Sequence, residues 1–524
     1  MQIIIPMSGT GSRFVRAGYR DLKPLIEVDG MPIIEHVTRM FPGETDFLFI
    51  CGRDALEKTR LREVLTRIAP SGTIVAIDPH KRGPVHAVLQ AADHVRQGEP
   101  VVVNYCDFAV EWDYKDFKRK MSDLRCAGCI TAYRGFHPHS LGPNLYAYLR
   151  ERDQYLLEIR EKHCFTDNRL KEYASSGTYY FRDGATMLHY FRLSVVRELT
   201  TNGEFYASSP FNLLVEDGVD VFIYELRKFL QWGTPEDLEE YQSWSRYFAE
   251  YAAWRPSLAK TPGTNLIPMA GSGVRFAREG YRDPKPLVPV AGTAMVKRSL
   301  DTLPEASRWV TVCQGAHLRD PRMTAVLCKN GHRCRIVELP EVSQGQACSC
   351  LKAAEELDLE QPLLIAPCDA SLIFDEKLYA QLTSDPRVDC LVWSFRDHPH
   401  ANRNPKQYGW VRTNADGSAR EIVCKVAPDG DVREAAGITG AFWFRKAAFF
   451  LDAANRLIAE DRRINGEFYV DSVIQVLIEQ GRGVRVLPLK HYVCFGTPDD
   501  VRTYEYWESY FRNAPHHPYR GERA

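Results

Sequence analysis

Two glycines, an arginine and a lysine recur as a set. Gly9, Gly11, Arg13 and Lys23 lie in "IPMSGTGSRFVRAGYRDLKPL", residues 5–25, and Gly271, Gly273, Arg275 and Lys285 lie in "IPMAGSGVRFAREGYRDPKPL", residues 267–287. From Pro6 to Leu25, 14 of 20 positions are identical to those 262 residues later. Glycines directly after a short apolar run allow positive φ and a close backbone approach, which leaves N–H groups free to face phosphate oxygens. A guanidinium and an ammonium aimed at one polyphosphate bind it and stabilise a departing pyrophosphate. The loop is not the dinucleotide fingerprint, whose third glycine would fall on Phe14, and it lacks the G-K-S/T of a Walker loop.

The elements that carry these residues repeat with them. "VVVNYCD" ends at Asp107 and "LLIAPCD" at Asp369, 262 apart; "NGEFY" begins at Asn202 and Asn465, and "GTP" at Gly233 and Gly496, each 263 apart. One single-residue length change, between the Tyr146/Tyr408 and Lys162/Lys425 pairs, accounts for the shift. The chain is therefore a tandem duplication. Its expected organisation is a first domain over 1–253, a linker over 254–264 and a second domain over 265–524. "RPSLAKTPGT" reads as that linker, and Tyr241, Trp244, Tyr247 and Phe248 read as an aromatic helix closing the first copy. Within a copy "QIII", "FLFICG", "GTIVAID" and "PVVVNYCD" read as strands. "PIIEHVTRMF", "ALEKTRLREVLTRI" and "VHAVLQAADHV" read as helices between them. That alternation predicts an α/β fold with a mostly parallel sheet, and ligands gather at the carboxyl ends of such strands. The glycine loop and Asp107 both fall there.

With these motifs in place, the chain resembles the nucleotidyltransferases that join a nucleoside triphosphate to a sugar 1-phosphate. Their signature is this glycine loop with arginine, then K-P-L, then a strand ending in aspartate, and the likeness spans both halves. It implies two tandem GT-A-like, Rossmann-variant domains with mixed, mostly parallel sheets. It implies that Gly9, Gly11 and Arg13, with Gly271, Gly273 and Arg275, hold the triphosphate, and that Lys23 and Lys285 bind phosphate in the transition state. Gly83 and Gly345 take the place of the base-contacting glycine, and Asp107 and Asp369 that of the Mg²⁺ ligand. Glu161, Lys162, Gly177 and Glu204, with Lys425, Gly440 and Glu467, fall at the acceptor. A capping or turn role is the rival reading for the "NGEFY" glutamates. The expected activity is transfer of a nucleotidyl group to a sugar 1-phosphate or related phosphorylated metabolite, for surface polysaccharide precursors.

The copies depart from the family's pattern in different places. A second acidic metal ligand is replaced by Gln231 and Cys494. The acceptor pair is Glu161-Lys162 in the first copy and Cys424-Lys425 in the second, and a thiol cannot take two hydroxyl hydrogen bonds as a carboxylate does. The base motif is Gly345-Gln346-Ala347 in one copy and Gly83-Pro84-Val85 in the other. Asp471 and Ser472 stand where the first copy has Ser208 and Ser209, which suits a second acceptor or reflects drift in an idle half.

The bulk composition narrows the choice. A net charge of -1 argues against a dedicated nucleic-acid binder. No apolar run approaches the ~18 residues of a membrane span, so a cytoplasmic protein is expected. The 14 cysteines, "CAGC" at Cys126–Cys129 included, read as reduced core thiols. Two rivals remain: a GT-A glycosyltransferase consuming a sugar nucleotide, which should show an Asp-x-Asp motif, and a nucleotide-binding regulatory or scaffold protein with one or both halves inactive.

Overall fold

Runs of aliphatic and β-branched residues form strands covered on both faces. Gln2–Met7, Phe47–Gly52 and Val101–Asn104 are buried at every position, the environment of parallel strands between two layers of helices. The computed structural model describes residues 1–9, 11–254, 261–328, 334–515 and 517–520. It divides into two units, Met1–Arg246 and Tyr247–Ala524.

In the first unit nine strands make one mixed sheet, in the order Thr73–Ile77, Phe47–Gly52, Gln2–Met7, Val101–Asn104, Tyr173–Phe181, Gly128–Tyr133, Val221–Glu225, Tyr155–Glu161, Ala147–Arg152. The first four are parallel. Tyr173–Phe181 runs antiparallel to both neighbours, and Val221–Glu225 is parallel to Gly128–Tyr133. A separate antiparallel pair joins Phe108–Glu111 to Lys228–Gln231. Because Gln2–Met7 and Val101–Asn104 are parallel neighbours, the glycine loop and Asp107 leave the sheet side by side at its carboxyl edge. The helix expected over "ALEKTRLREVLTRI" is two helices, Arg53–Lys58 and Leu61–Ile68. Thr59 between them is extended, and its hydroxyl accepts from the Leu61 N–H at 3.2 Å, restarting the helix.

The second unit repeats the order with Cys334–Leu339, Ala306–Gln314, Thr261–Met269, Leu363–Ile365, Ala436–Phe444, Cys390–Phe395 and Val484–Cys494. Val484–Cys494 is one long strand that also pairs with Ala370–Phe374, where the first unit has two shorter strands. The hairpin of Gly409–Thr413 and Ala419–Cys424 pairs with Ala436–Phe444. Of the linker expected over 254–264, residues 255–260 lie outside the described residues, and Thr261–Thr264 belong to the strand Thr261–Met269. The aromatic helix is Pro235–Ala253, and the division between the units falls within it. Cys126 and Cys129 are free thiols, 4% and 0% exposed.

Candidate active site

Gly11 takes φ 60° and starts the helix Ser12–Arg16; Gly273 takes φ 62° and starts Val274–Arg278. Only glycine takes this left-handed cap without strain. Each loop lies against its lysine: a methyl at Gly11 would sit 3.7 Å from the Lys23 Cβ, and one at Gly273 3.1 Å from the Lys285 Cβ. Lys23 Nζ donates to Asp107 Oδ2 at 2.5 Å and to the Gly233 carbonyl at 3.0 Å. Lys285 makes the same ion pair with Asp369. Burial works against the Lys285 charge, yet Asp369 beside it holds its pKa above the ordinary lysine value.

In the first unit Gly9, Gly11, Lys23, Gly83 and Asp107 line one cavity. Arg13, Glu161, Lys162, Gly177 and Glu204 line an adjoining one. Lys23, Tyr105, Asp107, Glu204 and Tyr206 line both, so a ligand in either cavity meets the Lys23–Asp107 pair. The residues singled out in the first copy are thus brought together around one ion pair.

Gly83, at φ 86°, shows why "NGEFY" belongs to the site. A methyl there would come within 2.7 Å of the Phe205 backbone N and O. The Val85 N–H donates to Phe205 O at 3.2 Å, and the Phe205 N–H to Arg82 O at 2.9 Å. Gly345 and Phe468 repeat the arrangement, with Ala347 N–H to Phe468 O at 3.0 Å and Phe468 N–H to Gln344 O at 2.9 Å. These ladders fix Glu204 and Glu467 beside the glycine turn. Pro84 opens the helix Pro84–Gln90, where an N–H has no intrahelical acceptor, so it costs the helix no bond.

On the acceptor side, Ser208 donates to the Glu161 carboxylate. Burial raises the Glu161 pKa, opposed by Ser208 and Lys162. Lys162 Nζ donates to the Tyr206 hydroxyl at 3.2 Å, which donates to Glu204 Oε2 at 2.8 Å. In the second unit Lys425 Nζ lies 5.4 Å from the Tyr469 ring centroid and donates to the Gln407 carbonyl, while burial and the nearby Glu467 raise the Tyr469 pKa. Lys162 and Lys425 share a left-handed backbone, φ 58° and 59°. Gly177 sits in a bulge at φ 97°, where a methyl would come within 2.9 Å of the Tyr105 ring; Gly440 takes φ 84° beside Pro367. Burial raises the Tyr408 pKa, the Asp369 charge adds to the rise and the Arg275 charge opposes it. Gln231 Nε2 is committed to Asp237 Oδ2 at 3.1 Å, and Cys494 Sγ accepts from the Gly496 N–H at 3.2 Å.

The family model of the MobA-like NTP transferase domain matches the chain twice, over residues 3–164 and 266–434, together more than half its length. The chain belongs to this family. It is accordingly a nucleotidyltransferase with two tandem NTP-transferase domains. Among solved structures it is similar to a nucleoside-diphosphate-sugar pyrophosphorylase from Vibrio cholerae RC9, at 20% identity and a TM-score of 0.39, over 46% of this chain and 99% of that one. It is also similar to the inositol-1-phosphate CTP transferase from T. maritima, at 15% identity and a TM-score of 0.36, over 45% and 90% of the two chains. No curated protein matches it.

Three features of this NTP-transferase site lie outside the residues singled out from sequence. Tyr105 lines both cavities, and its hydroxyl accepts from the Ala207 N–H at 3.2 Å; Pro367 stands in its place in the second half. His137-Pro138-His139 and His398-Pro399-His400 flank the acceptor side. A His139 ring nitrogen lies 2.8 Å from the Tyr133 hydroxyl, and His400 Nδ1 lies 3.0 Å from the Tyr408 hydroxyl. Asp237 and Asp500 are carboxyls whose pKa burial raises. The signal was recurrence: the aspartates are 263 residues apart and the His-Pro-His motifs 261, so two compensating one-residue length changes flank those motifs in addition to the one between the Tyr146/Tyr408 and Lys162/Lys425 pairs.

Proposed function

We propose that the chain transfers a nucleotidyl group from a nucleoside triphosphate to a sugar 1-phosphate or related phosphorylated metabolite, releases pyrophosphate, and supplies precursors for surface polysaccharide in the cytoplasm. The observation that carries this reading is the Lys23–Asp107 pair, built again as Lys285–Asp369, between a glycine loop and an acidic, lysine-bearing pocket. An oxygen of the acceptor phosphate attacks the α-phosphorus, the bond from the α-phosphorus to the α,β-bridging oxygen breaks, and its electron pair leaves with pyrophosphate. No protein nucleophile is needed; positioning and charge neutralisation suffice. The N–H groups of the loop and Arg13 receive the triphosphate, Lys23 follows the charge growing on the leaving group, and Lys162 with Glu161 orients the acceptor.

Asp107 and Asp369 fit a Mg²⁺ that arrives on the triphosphate. Each offers a carboxylate oxygen beyond the one its lysine takes. Among the described residues no group of three metal-ligating side chains forms a closed cage. One carboxylate completed by phosphate oxygens and water is an ordinary Mg²⁺ set. When bound, the ion neutralises phosphate charge. Pyrophosphate release tested with five nucleoside triphosphates and a pool of sugar 1-phosphates, with and without Mg²⁺, checks this function; no release with any pair would contradict it. The binding-only reading draws on Gln231, whose amide is held by Asp237 where a second carboxylate ligand would stand. Nucleotide binding without release would favour it.

A further inference from the structure

In the first unit Glu161 pairs across its hairpin with Ala147 and takes a hydrogen bond from Ser208. The matching hairpin of the second unit pairs Cys424 with Gly409, and the Asp471 carboxylate lies against Gly409; burial raises the Cys424 thiol pKa, and the Asp471 charge beside it raises it further. The register of the two is fixed by a second pair of bonds. Asn212 Oδ1 accepts from the Ile159 N–H at 2.9 Å, and Gln475 Oε1 accepts from the Ile422 N–H at 2.9 Å. Glu161 and Cys424 each lie two residues beyond that strand N–H, and Ser208 and Asp471 each four before that helix amide.

The carboxylate has therefore changed sides of one contact. In the first unit it stands on the strand, and its partner Ser208 is 0% exposed; in the second it stands on the helix Val470–Glu479, and its partner Cys424 is 8% exposed. The less buried member of the pair is an acid both times. Position 409 makes the room: a methyl there would overlap Asp471 Oδ2, and the first unit carries Ala147 at this point. Burial raises the pKa of Asp471 as it does that of Glu161, and the neighbouring Lys425 and Lys162 oppose that rise. Three differences between the halves thus act as one, and together they keep an acid beside the lysine.

We infer that Asp471 is the hydroxyl-binding carboxylate of a second acceptor pocket, which takes a polyhydroxylated phosphate different in shape from the one Glu161 and Lys162 receive. The inference rests on the acceptor assignment of the proposed function. A carboxylate accepts two hydroxyl hydrogen bonds, and one reaching in from the helix wall meets different hydroxyls from one on the strand.

The test uses the full chain with Lys162→Ala, which disables the first acceptor pocket. It is titrated calorimetrically with glucose 1-phosphate, mannose 1-phosphate, inositol 1-phosphate and glycerol 3-phosphate, under saturating α,β-methylene nucleoside triphosphates. At least one phosphate is expected to bind. Adding the near-isosteric Asp471→Asn weakens it tenfold or more while nucleotide affinity moves less than twofold, and Gly409→Ala does the same by displacing the carboxylate. Binding that Asp471→Asn leaves unchanged, or no binding of any of the four, overturns the inference. Pyrophosphate release by the wild type is followed separately. If it is absent while binding tracks Asp471, the proposed function fails and the pocket stands; if it is present while Asp471→Asn changes nothing, only the pocket assignment fails.

Discussion

Lys23 and Lys285 each hold an ammonium against a strand-end carboxylate, and in the proposed reaction that contact is what makes the glycine turn a phosphate site. Its worth lies in the transition state, where charge moves onto the leaving pyrophosphate. Lys23→Ala is expected to lower kcat for the first half's acceptor by about 10²–10³, the range for losing one preorganised charge partner, with a smaller change in nucleotide affinity; steady-state pyrophosphate release reads both. Gly83 carries a structural burden instead. Gly83→Ala adds a methyl at positive φ within 2.7 Å of the Phe205 backbone, so the cost should be on the order of 1–3 kcal/mol, seen as a lower urea midpoint together with weaker nucleotide binding. The glycine, arginine and lysine positions were legible in sequence because they repeat. The role of Gly83 as the seat of Phe205 was not, since that contact joins residues far apart in the chain.

Between elements, legibility depended on whether a feature was local. The strand-to-loop transitions after Gln2–Met7 and Val101–Asn104 were readable from apolar runs ended by glycine or aspartate. The break at Thr59 was not, because a side-chain hydroxyl turned toward the Leu61 N–H decides it within an unbroken helical pattern. The carboxylate's move from position 161 in one copy to 471 in the other was half visible: both residues could be noted, but the contact of Glu161 with Ser208 and that of Asp471 with Gly409 depend on how each helix seats on its own hairpin. The His-Pro-His loop has a consequence for pH. Burial holds the His137 imidazole down at about 4, only partly opposed by the Gly135 backbone. The unfolded chain takes that proton near the ordinary value of about 6.5. The folded pKa is the lower one, so the contribution of His137 to stability is full above about pH 6.5, falls between there and 4, and loses nothing further below. The slope from this group is about 1.4 kcal/mol per pH unit. Denaturant unfolding of the wild type should show this loss, and His137→Phe should make the slope between about pH 6.5 and 4 shallower; equal slopes would contradict the assignment.

At the scale of the whole molecule, the tandem copy was plain from 14 identities in 20 at a fixed spacing, and each unit carries its own sheet and its own lysine–aspartate pair. Among the described residues no helix is long and apolar enough to cross a membrane. What repetition concealed was divergence: the proposed acceptor walls differ at 147/409, 161/424 and 208/471, while the glycine loops keep their glycines, arginine and lysine. Two halves with one phosphate chemistry and two acceptor walls should divide their acceptors between them. Pyrophosphate release across the nucleotide and sugar 1-phosphate panel, compared for wild type, Asp107→Ala and Asp369→Ala, tests this most directly. Each variant is expected to lose release with one set of acceptors and keep the other. Release untouched by either substitution would contradict the account.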